Sequence, residues 1–337
     1  MRKIIMVMAL MITAGIVIPS PVFSQSRRTL VIKLASLIPE NSPWGAALNR
    51  IAAEWSRITN GEIELRIYHN GVVGTEGDCV RKLKSNQIQA AILTSFGISV
   101  ITPEIMTLSA PFFIKNDAEL DTVLAALKPE LQKKMESSGF YPIAWAKSGW
   151  ARIFSKVPVV IPPDLKRLKL GSPEEMPTLA QAFKAMGYQM VPVGVDLLVS
   201  LNANKIEAAY QSPIAAASTQ LFGIAQNMTA MNIAPIMGGI IFNRIAWRAI
   251  PEKYKPDLIK VVEGVEKDIT RSMAALENDA IRTMVSYGLT INQVNPEQEK
   301  LWYTEVEKAM PSLVGSTFDR NLYTQINAIL KQYRDTH

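Results

Sequence analysis

Apolar and polar positions follow two periodicities along this chain, and their order predicts an α/β fold. Short β-branched runs, and short runs that alternate apolar with polar residues, predict strands over 30–35, 62–68, 88–93, 140–146, 168–172, 189–193, 206–210, 240–243 and 289–294. Apolar residues three and four positions apart predict helices over 45–59, 76–85, 117–137 (as a pair), 176–186, 195–202, 214–222, 296–310 and from 320 onward. Alternating strands and helices are typical of a parallel or mixed sheet covered by helices.

The longest helical pattern covers 257–287. Its apolar stripe consists of Val262, Val265, Ile269, Met273, Leu276, Ala280 and Met284. Such a helix extends about 45 Å, more than one small lobe needs, so we expect it to brace two lobes. A coiled-coil dimer seam is the alternative, but irregular charges flank the stripe.

The first 24 residues have the composition of a secretory signal peptide. Arg2 and Lys3 precede an apolar run over 4–18, which is followed by prolines and a small residue, Ser24. A retained membrane anchor is the competing interpretation, but the apolar run is short for a bilayer span. We therefore expect cleavage after Ser24 and a periplasmic mature protein.

Composition excludes several classes of function. The 36 basic side chains less Arg2 and Lys3 leave 34 against 30 acidic ones, a net charge of +4 with no basic block, so nucleic acid is not an expected partner. A single cysteine, Cys79, cannot form an internal disulfide. The only histidines, His69 and His337, exclude imidazole-rich metal sites and triads, and His69 is interpreted as a solvated loop residue. The nucleophile-elbow, phosphate-loop and dinucleotide motifs are all missing from the sequence, so we expect neither an enzyme nor a cofactor.

Aromatic and polar residues at loops and strand ends have the composition of a ligand cleft. Open α/β sheets place ligands at the carboxyl ends of their strands, where this sequence has Thr94 and Gln211. Structural roles are the alternatives: a helix cap by Thr94 or Ser95, and a plain turn with Pro213 at the first helical position. The candidate ligand-binding residues are Trp44, Tyr68, Thr94, Ser95, Phe96, Trp145, Trp150, Arg152, Tyr210 and Gln211.

The stretch 145–173 is interpreted as a crossing between two lobes, because it puts aromatic, cationic and proline residues between strand-like segments. The expected organisation is lobe I over 28–145 and about 232–256, lobe II over 146–231 and about 289–295, a spanning helix over 257–287, and C-terminal helices over 296–337 that pack on the lobes.

Several short motifs resemble those of the substrate-binding (P) subunits of TRAP transporters, the DctP-type extracytoplasmic solute receptors. The motifs are Leu34-Ala35-Ser36 with Ser42-Pro43, Ile67-Tyr68-His69-Asn70-Gly71 with Gly74, Pro111-Phe112-Phe113, Pro162-Pro163-Asp164-Leu165-Lys166-Arg167-Leu168-Lys169, and Trp247 with Ile250-Pro251. Their shared order covers nearly all of the mature chain.

The resemblance implies a two-lobed periplasmic binding protein of type II-like architecture, with mixed sheets and a long helix across both lobes. It also implies a receptor without chemistry of its own, which closes on a small molecule and delivers it to TRAP membrane permease subunits. The family places a carboxylate-binding arginine where this chain has Gly171, which makes Gly171 a further candidate site residue. Arg152 resembles a second family arginine.

Because that arginine is missing at Gly171, we expect an apolar or amphipathic ligand. A carboxylate receptor that uses Arg152 is the alternative, and a sensor that reports solute to a signalling or repeat-protein partner is another. A periplasmic accessory protein is a further candidate partner, and an exported hydrolase is the least favoured function.

Overall fold

The computed structural model describes residues 29–173, 177–193 and 197–336. The predicted signal peptide, 1–24, lies outside the described residues. The strands are β1 (Leu30–Ala35), β2 (Ile63–Tyr68), β3 (Ala90–Thr94), β4 (Phe140–Ser155), β5 (Lys169–Pro173), β6 (Gln189–Val193), β7 (Ala208–Gln211), β8 (Asn227–Thr229), β9 (Ala234–Asn243) and β10 (Thr290–Asn292). The helices are α1 (Pro43–Ile58), α2 (Glu76–Lys84), α3 (Ser95–Ser99), α4 (Asp117–Ser137), α5 (Pro162–Lys166), α6 (Pro177–Ala185), α7 (Leu197–Asn202), α8 (Pro213–Ser218), α9 (Arg244–Ala249), α10 (Lys255–Ser286), α11 (Pro296–Leu313) and α12 (Arg320–Thr336).

A mixed sheet runs through the described residues in the order β2-β1-β3-β9-β4-β7-β5-β6, and β8 joins β10 to β4. Strands β1, β2 and β3 are parallel to one another, as are β5, β6 and β7. We call the half of the sheet with β1–β3 lobe I and the half with β5–β7 lobe II. The antiparallel pair of β4 and β9 lies between them, so the two lobes share these long strands.

The long helix α10 packs on both lobes. Val262 and Ile269, on its first half, lie in an apolar cluster with Ile32 of β1, whereas Met284 near its end lies in a second cluster with Phe154 of β4. Its 32 residues extend about 48 Å. The sequence prediction of a helix over 257–287 is therefore accurate to within two residues at its start and one at its end.

The C-terminal helices divide their contacts between the lobes. On α11, Trp302 donates from Nε1 to the Val160 carbonyl at 2.8 Å and stacks on Tyr188, next to β6. On α12, Arg334 makes two bonds to the buried Glu119 carboxylate of α4, at 2.7 and 2.9 Å. Helix α12 therefore packs on lobe I, whereas α11 contacts lobe II and also reaches Phe112 of lobe I through Trp302 and Tyr303.

The strands that cross between the lobes are longer than the sequence pattern predicted. Strand β4 continues past 146 to Ser155, and the Lys147 to Trp150 segment is accommodated as a β-bulge instead of ending the strand. Strand β9 begins at Ala234 instead of at 240, so Pro235, Gly238 and Gly239 lie within it. A Cβ on Gly239 would lie 2.7 Å from the Ala144 carbonyl oxygen, so this glycine allows the two backbones to approach closely.

The predicted helix pair over 117–137 is a single helix, α4, with Pro129 inside it. Its buried residues hold it on lobe I despite the missing N–H of the proline. Among the described residues, no helix is long and apolar enough to cross a membrane.

We expect Gly239→Ala to lower the free energy of unfolding by about 1–3 kcal/mol, because the added methyl group meets backbone and the strands must shift. Gly264→Ala on α10 is the matched control, since a Cβ there meets nothing within 4 Å and alanine favours the helix by about 0.5–1 kcal/mol. Urea denaturation of both variants checks whether the two substitutions change the free energy of unfolding in opposite directions. Equal changes would contradict the close approach of β4 and β9.

Candidate functional site: the cleft between facing strand ends

The parallel strands of the two lobes point their carboxyl ends at each other. Strand β3 runs in the same direction as β4, and both pair with β9. Gly238 of β9 lies opposite Thr94 on one side and Ala146 on the other, so Thr94 and Ala146 are at the same level along the sheet. Strand β7 runs in the opposite direction, with Gln211 level with Arg152. Along β4 these two levels are about 20 Å apart. Carboxyl ends of parallel strands are where open α/β sheets bind ligands, so we expect the ligand cleft over the β4 bulge.

Thr94 caps α3 at the lobe I edge of the cleft. Its Oγ1 accepts the Phe96 N–H at 3.3 Å, as the helix-cap alternative proposed. Its own N–H and hydroxyl donate to Glu76 Oε2 of α2, at 2.9 and 3.0 Å, and the Gly97 N–H donates to the same oxygen at 2.7 Å. One carboxylate oxygen thus holds the start of α3, and the side chain of Phe96 stays half-buried.

Ser95 joins lobe I to the crossing strand β9. It is fully buried, and its Oγ accepts the Met237 N–H at 3.1 Å and donates to the Met237 carbonyl at 3.3 Å. These contacts fix the start of α3 beside the β4 bulge, since Met237 pairs with Lys147.

Two predicted aromatic residues of lobe I, Trp44 and Tyr68, are half-buried, and Trp44 packs against the cluster around α10. His69 follows Tyr68 directly. The interpretation of His69 as a solvated residue is wrong, because its side chain is only 8% exposed and its Nε2 lies 3.1 Å from Asn49 Oδ1. Its other ring nitrogen, Nδ1, is buried and has no hydrogen-bond partner within the described ranges.

The indoles of Trp145 and Trp150 point at α4. Trp145 Nε1 donates to Gln132 Oε1, and Trp150 Nε1 donates to Asp117 Oδ1, both at 3.3 Å. Between them, Lys147 makes an ion pair with Asp121 at 2.8 Å. Both indoles are almost fully buried, so they tie the bulged strand to lobe I.

Arg152 points at the long helix. Its Nη2 donates to Glu277 Oε1 at 2.7 Å, and both side chains are mostly buried, at 18% and 12% exposed. The same carboxylate accepts the Trp150 N–H. Burial raises the pKa of the Glu277 carboxyl, and the Arg152 guanidinium opposes that shift. The Nε of Arg152 is buried without a hydrogen-bond partner in the described part of the chain.

At the lobe II edge, Tyr210 and Gln211 end β7. The ring of Tyr210 packs edge-on against Phe183 at 5.8 Å, and burial raises the pKa of its hydroxyl above the ordinary value. Gln211 is half-buried, one residue before the Ser212 cap of α8. The turn with Pro213 at the first helical position is present, as the structural alternative stated.

Gly171 lies inside β5, paired with Val191 and Ala209. A Cβ at this position would lie 2.5 Å from Ile206 Cδ1, in a fully buried cluster. The missing side chain therefore has no room here unless Ile206 moves.

The structure brings most of the predicted residues to the cleft edges or the bulge, although their contact with a ligand stays a prediction. Three functional candidates were missed or dismissed: Glu76, His69 and Glu277. Of the three, only Glu277 could have been found from the sequence pattern. It lies four residues after Met273 and seven before Met284, which places a charged residue on the apolar side of the helix. Across the described residues, no group of three or more acidic, histidine or cysteine side chains is placed to hold a metal ion.

We expect Gly171→Ala to lower the free energy of unfolding by about 1–3 kcal/mol, because the added methyl group overlaps Ile206 Cδ1. The substitution Ile206→Val removes that methyl group, so Gly171→Ala should cost less than half as much in the Ile206→Val background. A denaturation cycle of the wild type, both single variants and the double variant measures this coupling. Equal costs in the two backgrounds would show that Gly171 is not crowded by Ile206.

Comparison with known families gives one match over most of the chain. The model of the bacterial extracellular solute-binding protein family 7, DctP, matches residues 34–315. Among curated relatives, a solute-binding protein of Verminephrobacter eiseniae is 29% identical over 156 residues, 46% of each chain, so the match spans about half of that relative. The C4-dicarboxylate-binding periplasmic protein DctP of Rhodobacter capsulatus is 21% identical over 297 residues, covering 85% of this chain and 88% of the relative.

Solved structures share the fold. A TRAP periplasmic solute-binding protein of Xanthobacter autotrophicus with bound β-D-galacturonate superimposes with a TM-score of 0.80 at 17% identity. Those of Chromohalobacter salexigens with D-glucuronate and Sulfurospirillum deleyianum with succinate give 0.82 at 18% and 0.81 at 20%. Each match covers 89% of this chain and 99% of the other. The predicted two-lobed α/β architecture is confirmed, and the chain belongs to the bacterial extracellular solute-binding protein family 7, a DctP-type family of binding proteins and not of enzymes.

Proposed function

We propose that this protein is the extracytoplasmic receptor of a TRAP-type transporter, which captures a small organic acid in the interlobe cleft and delivers it to membrane permease subunits. Family membership over 34–315 supports the receptor role. The signal-peptide composition of 1–24 supports a periplasmic location.

The sequence predicted an apolar or amphipathic ligand, with a carboxylate as the alternative, and we favour the carboxylate. Three structural neighbours hold galacturonate, glucuronate and succinate, and these ligands do not support a hydrophobic one. The aromatic residues at the cleft, such as Tyr210 and Phe96, still favour a ligand with an apolar surface beside its carboxylate. An amphipathic acid meets both observations.

One observation supports the ligand class: among the described residues, two buried polar atoms without hydrogen-bond partners belong to residues near the two facing sets of strand ends. His69 Nδ1 follows the end of β2 in lobe I, and Arg152 Nε is level with the end of β7 in lobe II. A buried donor or acceptor without a partner costs about 1–3 kcal/mol, so native proteins rarely keep one without a role. A carboxylate accepts hydrogen bonds only, which suits the Nε–H of Arg152, whereas His69 Nδ1 is placed to pair with another polar group of the ligand.

Closure of the lobes is the proposed mechanism of capture. The lobes are connected by β4, β9 and α10, and bending at the β4 bulge and within α10 would bring the facing strand ends together. Gly171 contributes no cation to this site, so the proposed receptor depends on Arg152 for positive charge at the carboxylate.

Titration calorimetry with galacturonate, glucuronate, succinate and octanoate should identify at least one acid that binds the wild type. Because a charge-assisted hydrogen bond contributes about 1.5–3 kcal/mol, Arg152→Gln should weaken that acid about tenfold or more. The double variant Arg152→Gln/Glu277→Gln avoids leaving Glu277 buried and unpaired, and should show a similar loss.

Arg282→Gln is the matched control, because it removes one positive charge from an exposed side chain of α10. An acid that binds the two Arg152 variants as tightly as the wild type would exclude Arg152 from the site. If no acid binds, and native mass spectrometry of the purified protein finds a neutral apolar molecule, the organic-acid proposal is wrong.

A further inference from the structure

Glu277 places a negative charge directly on the guanidinium that the proposed ligand would use. Its Oε1 accepts from Arg152 Nη2 at 2.7 Å, and its carboxylate also accepts the Trp150 N–H of the bulge. Gly149 has a φ of +97°, and a Cβ there would lie 3.4 Å from Glu277 Oε2. The carboxylate is therefore held against β4 at the bulge, the segment that we call the floor of the proposed cleft.

The remaining charged groups around the bulge do not offset this carboxylate. Lys147 lies 2.8 Å from Asp121 and 3.7 Å from Asp117, and Asp117 also accepts from the Trp150 indole. Two cations, Lys147 and Arg152, thus face three carboxylates, a net charge of −1 when all five groups are ionised. The floor of the cleft carries no surplus of positive charge for a second ligand carboxylate.

The geometry of the guanidinium brings Glu277 close to a bound acid. The Nε and Nη2 of an arginine lie on the same edge of its planar guanidinium, and Glu277 accepts a hydrogen bond only from Nη2. A ligand oxygen at the unpartnered Nε would lie next to the Glu277 carboxylate. In a mostly buried site, screening by water is weak and like charges at such short range repel strongly.

We infer that Glu277 determines the charge selectivity of the cleft: as the standing counter-ion of Arg152, it favours acids with one carboxylate over dicarboxylates. This inference rests on the proposed function. One ligand carboxylate shares the guanidinium with Glu277, whereas a second one meets only net negative charge.

The test compares galacturonate, a monoanion, with succinate, a dianion, by titration calorimetry at low salt. In Glu277→Gln, which keeps a side-chain oxygen for Arg152 but removes the charge, we expect the affinity for succinate to rise about tenfold more than that for galacturonate. Asp279→Asn is the matched control: it removes one negative charge from an exposed residue of the same helix and should leave the ratio of the two affinities unchanged.

Glu277→Ala separates charge from positioning, because it removes both the charge and the acceptor. If Glu277 only positions Arg152, Glu277→Gln keeps the wild-type affinity ratio and Glu277→Ala weakens both acids; that result would overturn the inference. If both acids bind the wild type and the ratio does not move in Glu277→Gln, the inference alone is wrong. If neither acid binds any variant, the proposed organic-acid function fails together with it.

Discussion

The pairing of β4 with β9 is the constraint on which the rest of the structure depends. These strands belong to both lobes, so their bulge sets how the two parallel sets of strands face each other. The bulge is held from two directions, by Asp117 of α4 and by Glu277 of α10. Because both anchors are carboxylates, the same contacts that fix the bulge also place negative charge beside Lys147 and Arg152.

Much of the architecture could be predicted from local pattern. The apolar stripe of α10 and the family motifs gave the two-lobed α/β fold, and Thr94 capped its helix as a threonine before a helix should. The crossing strands were predicted too short because glycine and proline, such as Gly149 in β4 and Pro235 in β9, usually end a strand. Here Gly239 lies inside β9 since only a glycine fits against the Ala144 carbonyl, a contact between distant segments that no local pattern contains.

The site was less predictable for the same reason. Arg152 was identified as a cation at the cleft, but its partner Glu277 is 125 residues away along the chain. Thr94 was identified as a polar residue at a strand end, but the Glu76 carboxylate that binds it comes from another helix. Gly171 was noticed only by comparison with a family pattern, and the crowding by Ile206 that explains its size depends on packing. Residue types were accessible from the sequence, whereas their pairings were not.

The contact between Arg334 and Glu119 has a consequence for biosynthesis. Glu119 is 3% exposed, and its carboxylate is bound by an arginine only three residues from the last residue of the chain. Until that arginine arrives, a chain that emerges amino end first carries a charge in lobe I that lacks its partner, which is costly to bury. Lobe I therefore completes its folding only after α12 has been synthesised and has docked on α4.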